Sequence, residues 1–183
     1  MALFVLPLFL AVVALAVVAL YNGLVLLRNQ VRNAWQQIGV QLKRRHDLIP
    51  NLVEVVKDYM GYEQETLEKV VRARNQAIQA TGVQGTAAAE GALTGALRSL
   101  FAVVEAYPQL KANESVSCLQ EELTSTENRI AFARQFYNDM VMRYNTRLQV
   151  FPTNMLASLF GFKQETYFET PAEEQQPVKV DLR

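Results

Sequence analysis

The stretch LKRRHDLIPN, residues 42–51, places Lys43, Arg44 and Arg45 beside His46, Asp47 and Pro50. These are the side chains in the sequence most able to do chemistry, so the first question is which chemistry they could support. A zinc site needs several His, Cys or carboxylate ligands converging on one point. The chain has one histidine, His46, and one cysteine, Cys118. A carboxylate-bridged metal pair in a helical bundle usually takes Glu-x-x-His from two helices, and that motif does not occur. Nucleophilic catalysis by Cys118 would need a base, for which His46 is the available imidazole. That pairing is disfavoured: Cys118 reads as a small buried helix residue and His46 as an exposed or interfacial one. GVQG, residues 82–85, lacks the lysine and the preceding strand of a phosphate loop. The expectation is a protein that is not an enzyme, with no cofactor and no metal.

Nucleic acid is not indicated either. Lys plus Arg number 18 against 18 Asp plus Glu, a formal net charge of zero, and KRR alone is too short for a phosphate-binding patch.

The elements that must carry these residues begin with an apolar run. Residues 2–20 are apolar throughout and interrupted only by Pro7, near one end, and the first charge in the chain is Arg28. Nineteen residues make roughly 28 Å of helix, close to the hydrocarbon thickness of a bilayer. A secretory signal would want basic residues before a shorter core, and a buried core helix would need an unusually large enclosure. Residues 1–27 are therefore expected to form a transmembrane helix. Arg28, Arg32, Lys43, Arg44 and Arg45 follow the span and no basic residue precedes it, so the positive-inside rule sets the N-terminus outside and the body in the cytoplasm. A single thiol fits that reducing side.

Beyond the span, apolar residues recur at steps of three and four, the mark of a helix packed along one seam. Leu24, Val31, Trp35, Ile38, Leu42, Ile49, Leu52 and Val56 belong to the first seam, which passes Pro50 without losing phase. The spacing predicts a helix over 28–81, kinked at Pro50. The alternative is a break there with Asp47 as N-cap. A second helix is expected over 86–106, after Gly82 as C-cap and Gly85 as turn. It has an apolar stripe of Leu93, Leu97, Leu100 and Val104, and a line of small residues, Ala87, Gly91, Gly95 and Ser99. That line either permits close approach of another helix, with Gly91 and Gly95 at an oligomer interface, or is incidental. A third helix is placed within 113–151, with Ser117 and Gln120 as a capping box and a seam through Leu123, Ile130, Tyr137, Val141, Tyr144 and Leu148. Residues 152–169 form a short apolar segment, with NMLASLFGF as a possible helix, and residues 170–183 a polar tail. The fold class is all-α: an N-terminal transmembrane helix followed by an antiparallel, coiled-coil-like bundle of long helices over 28–151.

Arg45 falls on the first seam. Three readings stand open: it snorkels to the bundle edge, it joins an internal polar network with Glu105, Glu127 or Asp139 as candidate partner, or it binds a ligand.

Residues 21–63, from YNGLVLLRNQVRNAWQQ through QLKRRHDLIPNL, resemble the first half of the LemA family signature, and residues 105–152, EAYPQLKANESVSCLQEELTSTENRIAFARQFYNDMVMRYNTRLQVFP, are similar to its second half. The resemblance implies a bacterial inner-membrane protein with a cytoplasmic helical domain and no established enzyme activity. Some relatives act in forming magnetosome membranes, which by analogy suggests a role in membrane organisation. Within the matched motifs the polar positions are Arg45, Asp47, Pro50, Asn51, Glu127, Arg134, Tyr137, Asn138 and Asn145, expected to form structural contacts between antiparallel helices. The functional expectation is a membrane-anchored scaffold that contacts lipid through its first helix and assembles into a homo-oligomer. The alternative is an adaptor that recruits a different membrane protein.

Overall fold

A run of good helix formers with few glycines stays helical for as long as neighbours can cover one of its faces. In the computed structural model, which describes residues 2–59 and 63–169 apart from the side chains of residues 2–4, the first such run is α1, Ala2–Lys57. It is followed by α2 (Gln64–Gln79), α3 (Gly82–Ala106), α4 (Pro108–Lys111), α5 (Glu114–Gln149) and α6 (Thr153–Leu159). No strand occurs among the described residues, and the all-α class holds.

Three boundaries differ from the sequence expectation. The first helix does not continue to residue 81: α1 ends at Lys57, with Asp58 and Tyr59 in a turn, and α2 begins at Gln64. Apolar spacing carried across the break because Val56, Leu67 and Val70 enter one core from two helices. At Pro50 the helix is unbroken, which removes Asp47 as an N-cap. Gly82 does not end a helix but opens α3 at φ +73°, a left-handed backbone that glycine adopts without a Cβ clash. Gly85 lies inside α3. The third long helix is capped by Asn113, whose Oδ1 accepts from the backbone N–H groups of Ser115 (2.9 Å) and Val116 (3.3 Å). Ser117 is an exposed residue within α5, so the proposed capping box is absent.

The chain divides into two compact units, Met1–Ile38 with Ala133–Tyr167, and Gly39–Phe132 with Phe168–Arg183. In the second, the C-terminal part of α1, α2, α3, α4 and the start of α5 share one apolar core. Ile49, Leu52, Val70, Leu93 and Leu100 are fully buried in it. The α2 stripe, Leu67, Val70, Ala73 and Ala77, is spaced at three and four, and α3 answers with Leu93, Leu97, Leu100 and Val104.

In the first unit α1 runs antiparallel to α5. Trp35 meets Tyr137 with ring centroids 5.5 Å apart, while Tyr21, earlier in α1, meets Phe160 beyond the far end of α5 at 5.0 Å. The short helix α6 buries Thr153 and Ala157, one turn apart. It ends at Gly161, φ +70°, where the N–H of Phe162 reaches the carbonyl of Ala157 at 2.9 Å in a Schellman closure. Residues 162–169 then run without helix.

Among the described residues two helices, α1 and α3, are long and apolar enough to cross a membrane by length and composition. The apolar stripe of α3 is covered by its own unit. In the apolar part of α1 only 6% of the residues are buried, and Leu6, Leu8, Phe9 and Leu15 are each more than 60% exposed. Such a surface is costly in water and suits lipid, so α1 has the length and the exposed apolar face that a membrane anchor requires.

Candidate functional site

The polar cluster of the second unit grows from Arg45, whose place on the α1 seam forces its side chain inward, to 3% exposure. A buried guanidinium must be matched with acceptors. Its Nη1 donates to Oε2 of Glu90 at 3.2 Å and lies 3.0 Å from Oε2 of Glu127, while Nη2 donates to Oγ1 of Thr94 at 2.8 Å. Glu90, fully buried, uses its other oxygen on the adjacent α1 residue: His46 Nε2 lies 2.7 Å from Oε1. Both carboxylate oxygens are thus engaged, one by each of two consecutive α1 side chains.

Pro50 belongs to the same cluster through its missing N–H. In a continuous helix that N–H would bond the carbonyl four residues earlier, which is His46. The carbonyl of His46 instead accepts from Nε of Arg74, in α2, at 2.7 Å. Proline, histidine and arginine therefore meet for a structural reason: the helix can be continuous here because a neighbouring guanidinium satisfies the oxygen that proline strands.

Glu90 was not a sequence candidate, although a signal for it exists. Extending the α3 stripe of Leu93, Leu97, Leu100 and Val104 back by three residues lands on it. Of the suggested partners for Arg45, Glu127 is correct, Glu105 is exposed, and Asp139 lies in the other unit. His46, expected to be exposed or interfacial, takes the interfacial place: it is 9% exposed and pairs from α1 with Glu90 of α3. Cys118, expected to be buried, is exposed. Asp47, Pro50 and Asn51 all face solvent. Asp47 pairs with Lys43 one turn earlier, and that hydrogen bond holds its carboxyl below the usual carboxylate range. The side chains of these three positions lie outside the buried layer, and Pro50 meets it only through the backbone carbonyl of His46.

The other polar candidates, Arg134, Tyr137, Asn138 and Asn145, lie in the first unit, and Tyr137 and Asn145 bond to the backbone of the extended C-terminal segment. Asn145 donates from Nδ2 to the carbonyl of Glu165 at 2.9 Å and accepts on Oδ1 from the Glu165 N–H at 3.0 Å, mimicking a strand partner. Tyr137, 2% exposed, donates its hydroxyl to the carbonyl of Thr166 at 2.9 Å. Burial, aided by the negative charge of Glu165, pushes its phenol up to about 12. Burial likewise raises that of Tyr144. Arg134 and Asn138 are half-buried on the same helix.

A cavity of about 410 Å³ opens beside the Arg45 cluster. Leu97, Phe101 and Leu123 supply its apolar lining, and Arg45, Thr94, Glu105 and Glu127 its polar one. On its inner side Arg45 is already paired with Glu90, Thr94 and Glu127. Among the described residues no three His, Cys, Asp or Glu side chains are grouped to hold a metal ion. Gly95 lies on an exposed part of α3, where an added Cβ would meet nothing within 4 Å, and Gly91 is half-exposed. Close packing inside the chain therefore does not require a glycine at position 95.

Comparison with known proteins finds relatives over most of the chain. The chain is 26% identical over 179 residues to the magnetosome proteins MamQ 1 and MamQ 2 of Paramagnetospirillum magneticum, a match that covers 83% of this chain. The chain spans 66% of the length of those relatives. Protein LemA of Metamycoplasma hominis is 27% identical over 165 residues, covering 87% of this chain and 73% of its own. The family model described as the LemA family matches residues 34–182, which take in the Arg45 cluster and the Asn145 pairing together, and the chain belongs to the LemA family.

Proposed function

We propose that this LemA-family chain is a membrane-anchored, non-enzymatic helical scaffold that assembles into a homo-oligomer and organises the inner membrane or the proteins within it. In this reading the N-terminus is outside and the helical body is cytoplasmic. The observation that carries it is the character of α1: one helix is uncovered and apolar over its first part and buried as a core element over its last. Such a helix couples lipid mechanically to a folded body. Self-assembly is supported by Phe132 and Phe136, four residues apart on α5 and 73% and 44% exposed, an apolar strip that a second copy would cover.

The test is the mass of the complete protein in mild detergent, corrected for bound detergent, with co-purifying proteins identified from the same sample. A homo-oligomer whose mass falls in a Phe132→Glu/Phe136→Glu variant supports the scaffold. Gly95→Leu tests the small-residue line separately, because a Cβ added at position 95 meets nothing within 4 Å among the described residues. A monomer holding a heterologous protein in fixed ratio would replace the scaffold by the adaptor.

A further inference from the structure

Four apolar side chains of α6 and its flanks stay largely uncovered by the described residues. Phe151 is 79% exposed, Met155 65%, Leu159 76% and Phe160 51%. Met155 and Leu159 are one turn apart on the face opposite the buried pair Thr153 and Ala157, so α6 is two-sided despite its length. Between Arg147 and Lys163 the chain carries no charged residue, and both flanking charges are basic.

The position of this face in the unit says what covers it. Tyr21 is the residue immediately after the apolar run of α1, and its ring packs edge-on against Phe160 at 5.0 Å and Phe162 at 5.7 Å. A tyrosine at the end of a span sits where hydrocarbon gives way to headgroups. All of α6 lies within roughly 11 Å of that contact, measured along its own axis at 1.5 Å per residue. That distance is comparable with the interfacial layer of a bilayer, in which amphipathic helices lie with their apolar face sunk by about 5–10 Å. Arg28, about two turns beyond Tyr21, places its guanidinium 5.1 Å from the centre of the Phe162 ring. Arg147 and Lys163 flank the segment in sequence, so its bordering charges are basic, as contact with anionic headgroups would require.

We infer that α6 is an interfacial membrane anchor: Phe151, Met155, Leu159 and Phe160 insert into the leaflet at the level of Tyr21, and the flanking cations engage anionic phospholipid. The inference rests on the reading of α1 as a membrane span and extends it, because the unit would then hold the bilayer at two points. A span alone leaves a helix free to tilt and rotate, whereas a second contact fixed to it through Tyr21 and Phe160 restricts both.

The test uses the complete chain with Cys118→Ser and single spin-labelled cysteines in turn at Met155, Leu159, Val12 and Ser125. Each is reconstituted in vesicles of phosphatidylethanolamine and phosphatidylglycerol. Collision rates with oxygen, which concentrates in lipid, and with a water-soluble nickel chelate report the surroundings of each label. Val12 lies within the apolar run, and Ser125 is an exposed position on α5 in the second unit. The expected result is an oxygen-to-nickel ratio at Met155 and Leu159 several-fold above that at Ser125 and below that at Val12. Labels at Met155 and Leu159 that meet nickel as freely as Ser125, while Val12 stays in lipid, would overturn the inference and leave the span intact. Protection from both reagents would also overturn it, since protein rather than lipid would then cover the face. Free access of nickel to Val12 would remove the span itself and this inference with it.

Discussion

Arg74 donates from Nε to the carbonyl oxygen of His46 at 2.7 Å, the oxygen that Pro50 leaves without its helical donor. The arrangement makes the two residues thermodynamically dependent. Pro50→Ala supplies the missing N–H and removes a residue that disfavours helix interiors by about 3 kcal/mol, so it should stabilise the chain by about 1–3 kcal/mol. Arg74→Met should cost about 1–3 kcal/mol beside proline and much less beside alanine. The check is a double-mutant cycle on denaturant unfolding of the detergent-solubilised protein. Equal costs of Arg74→Met in the two backgrounds would show that the guanidinium does not stand in for the absent donor.

Burial grades the acidic partners of Arg45. Glu90 is fully buried and serves both Arg45 and His46, whereas the side chain of Glu127 is 36% exposed. Glu90→Ala strands a buried guanidinium and should cost about 3–5 kcal/mol, while Glu127→Ala should cost about 1 kcal/mol or less. Because the penalty comes from the stranded charge, Arg45→Met combined with Glu90→Leu should recover much of what either single change loses. Unfolding free energies of the five variants, the two alanine substitutions, Arg45→Met, Glu90→Leu and their combination, decide the matter. A double variant as unstable as the sum of its parts would mean that the cluster stabilises through more than charge matching.

What sequence could reveal follows the same division between side chain and backbone. The seams of α1 and α5 were legible because burial repeats at three and four residues, and Leu24, Ile38, Leu52, Ile130 and Val141 are all buried as that spacing requires. Arg45 stood out as a charge on a seam. Glu90 did not, since its helix is rich in alanine and glycine and its stripe was traced only from Leu93 onward. The break after Lys57 was hidden by apolar spacing that happens to continue from one helix into the next. For Asn145 and Tyr137 the polar character was visible but the partner was not. A backbone carbonyl or N–H such as those of Glu165 and Thr166 has no signature in residue identity.

The Asn145 pairing offers a local test. Asn145→Asp keeps an acceptor for the N–H of Glu165 but loses the donor to its carbonyl, and it adds a negative charge next to the Glu165 side chain. The segment over residues 162–169 should loosen by about 1–3 kcal/mol. Faster amide exchange at Glu165 and earlier tryptic cleavage after Lys163 are expected, with exchange in α2 and α3 unchanged because they belong to the other unit. Uniform acceleration throughout the chain would indicate general destabilisation and remove the specific role of the pair.

Tyr137 gives the fold a dependence on alkaline pH whose sign can be worked out. Its phenol is pushed up from 10.0 to about 12, first by burial and then by Glu165. Between those values the unfolded chain has lost the proton and the native state still holds it. Native stability from this group is therefore complete below pH 10 and declines as pH rises toward 12, by up to about 2–3 kcal/mol. The hydroxyl's bond to Thr166 depends on that proton, so ionisation also removes that tie between residues 162–169 and α5 and leaves the Asn145 pair. A near-ultraviolet absorbance titration should contain a late tyrosinate step that is missing in Tyr137→Phe. The same variant should flatten the decline of unfolding free energy over this range. An unaltered titration curve in Tyr137→Phe would mean that the late proton belongs to another tyrosine, and Tyr144, also raised by burial, would be the next to replace.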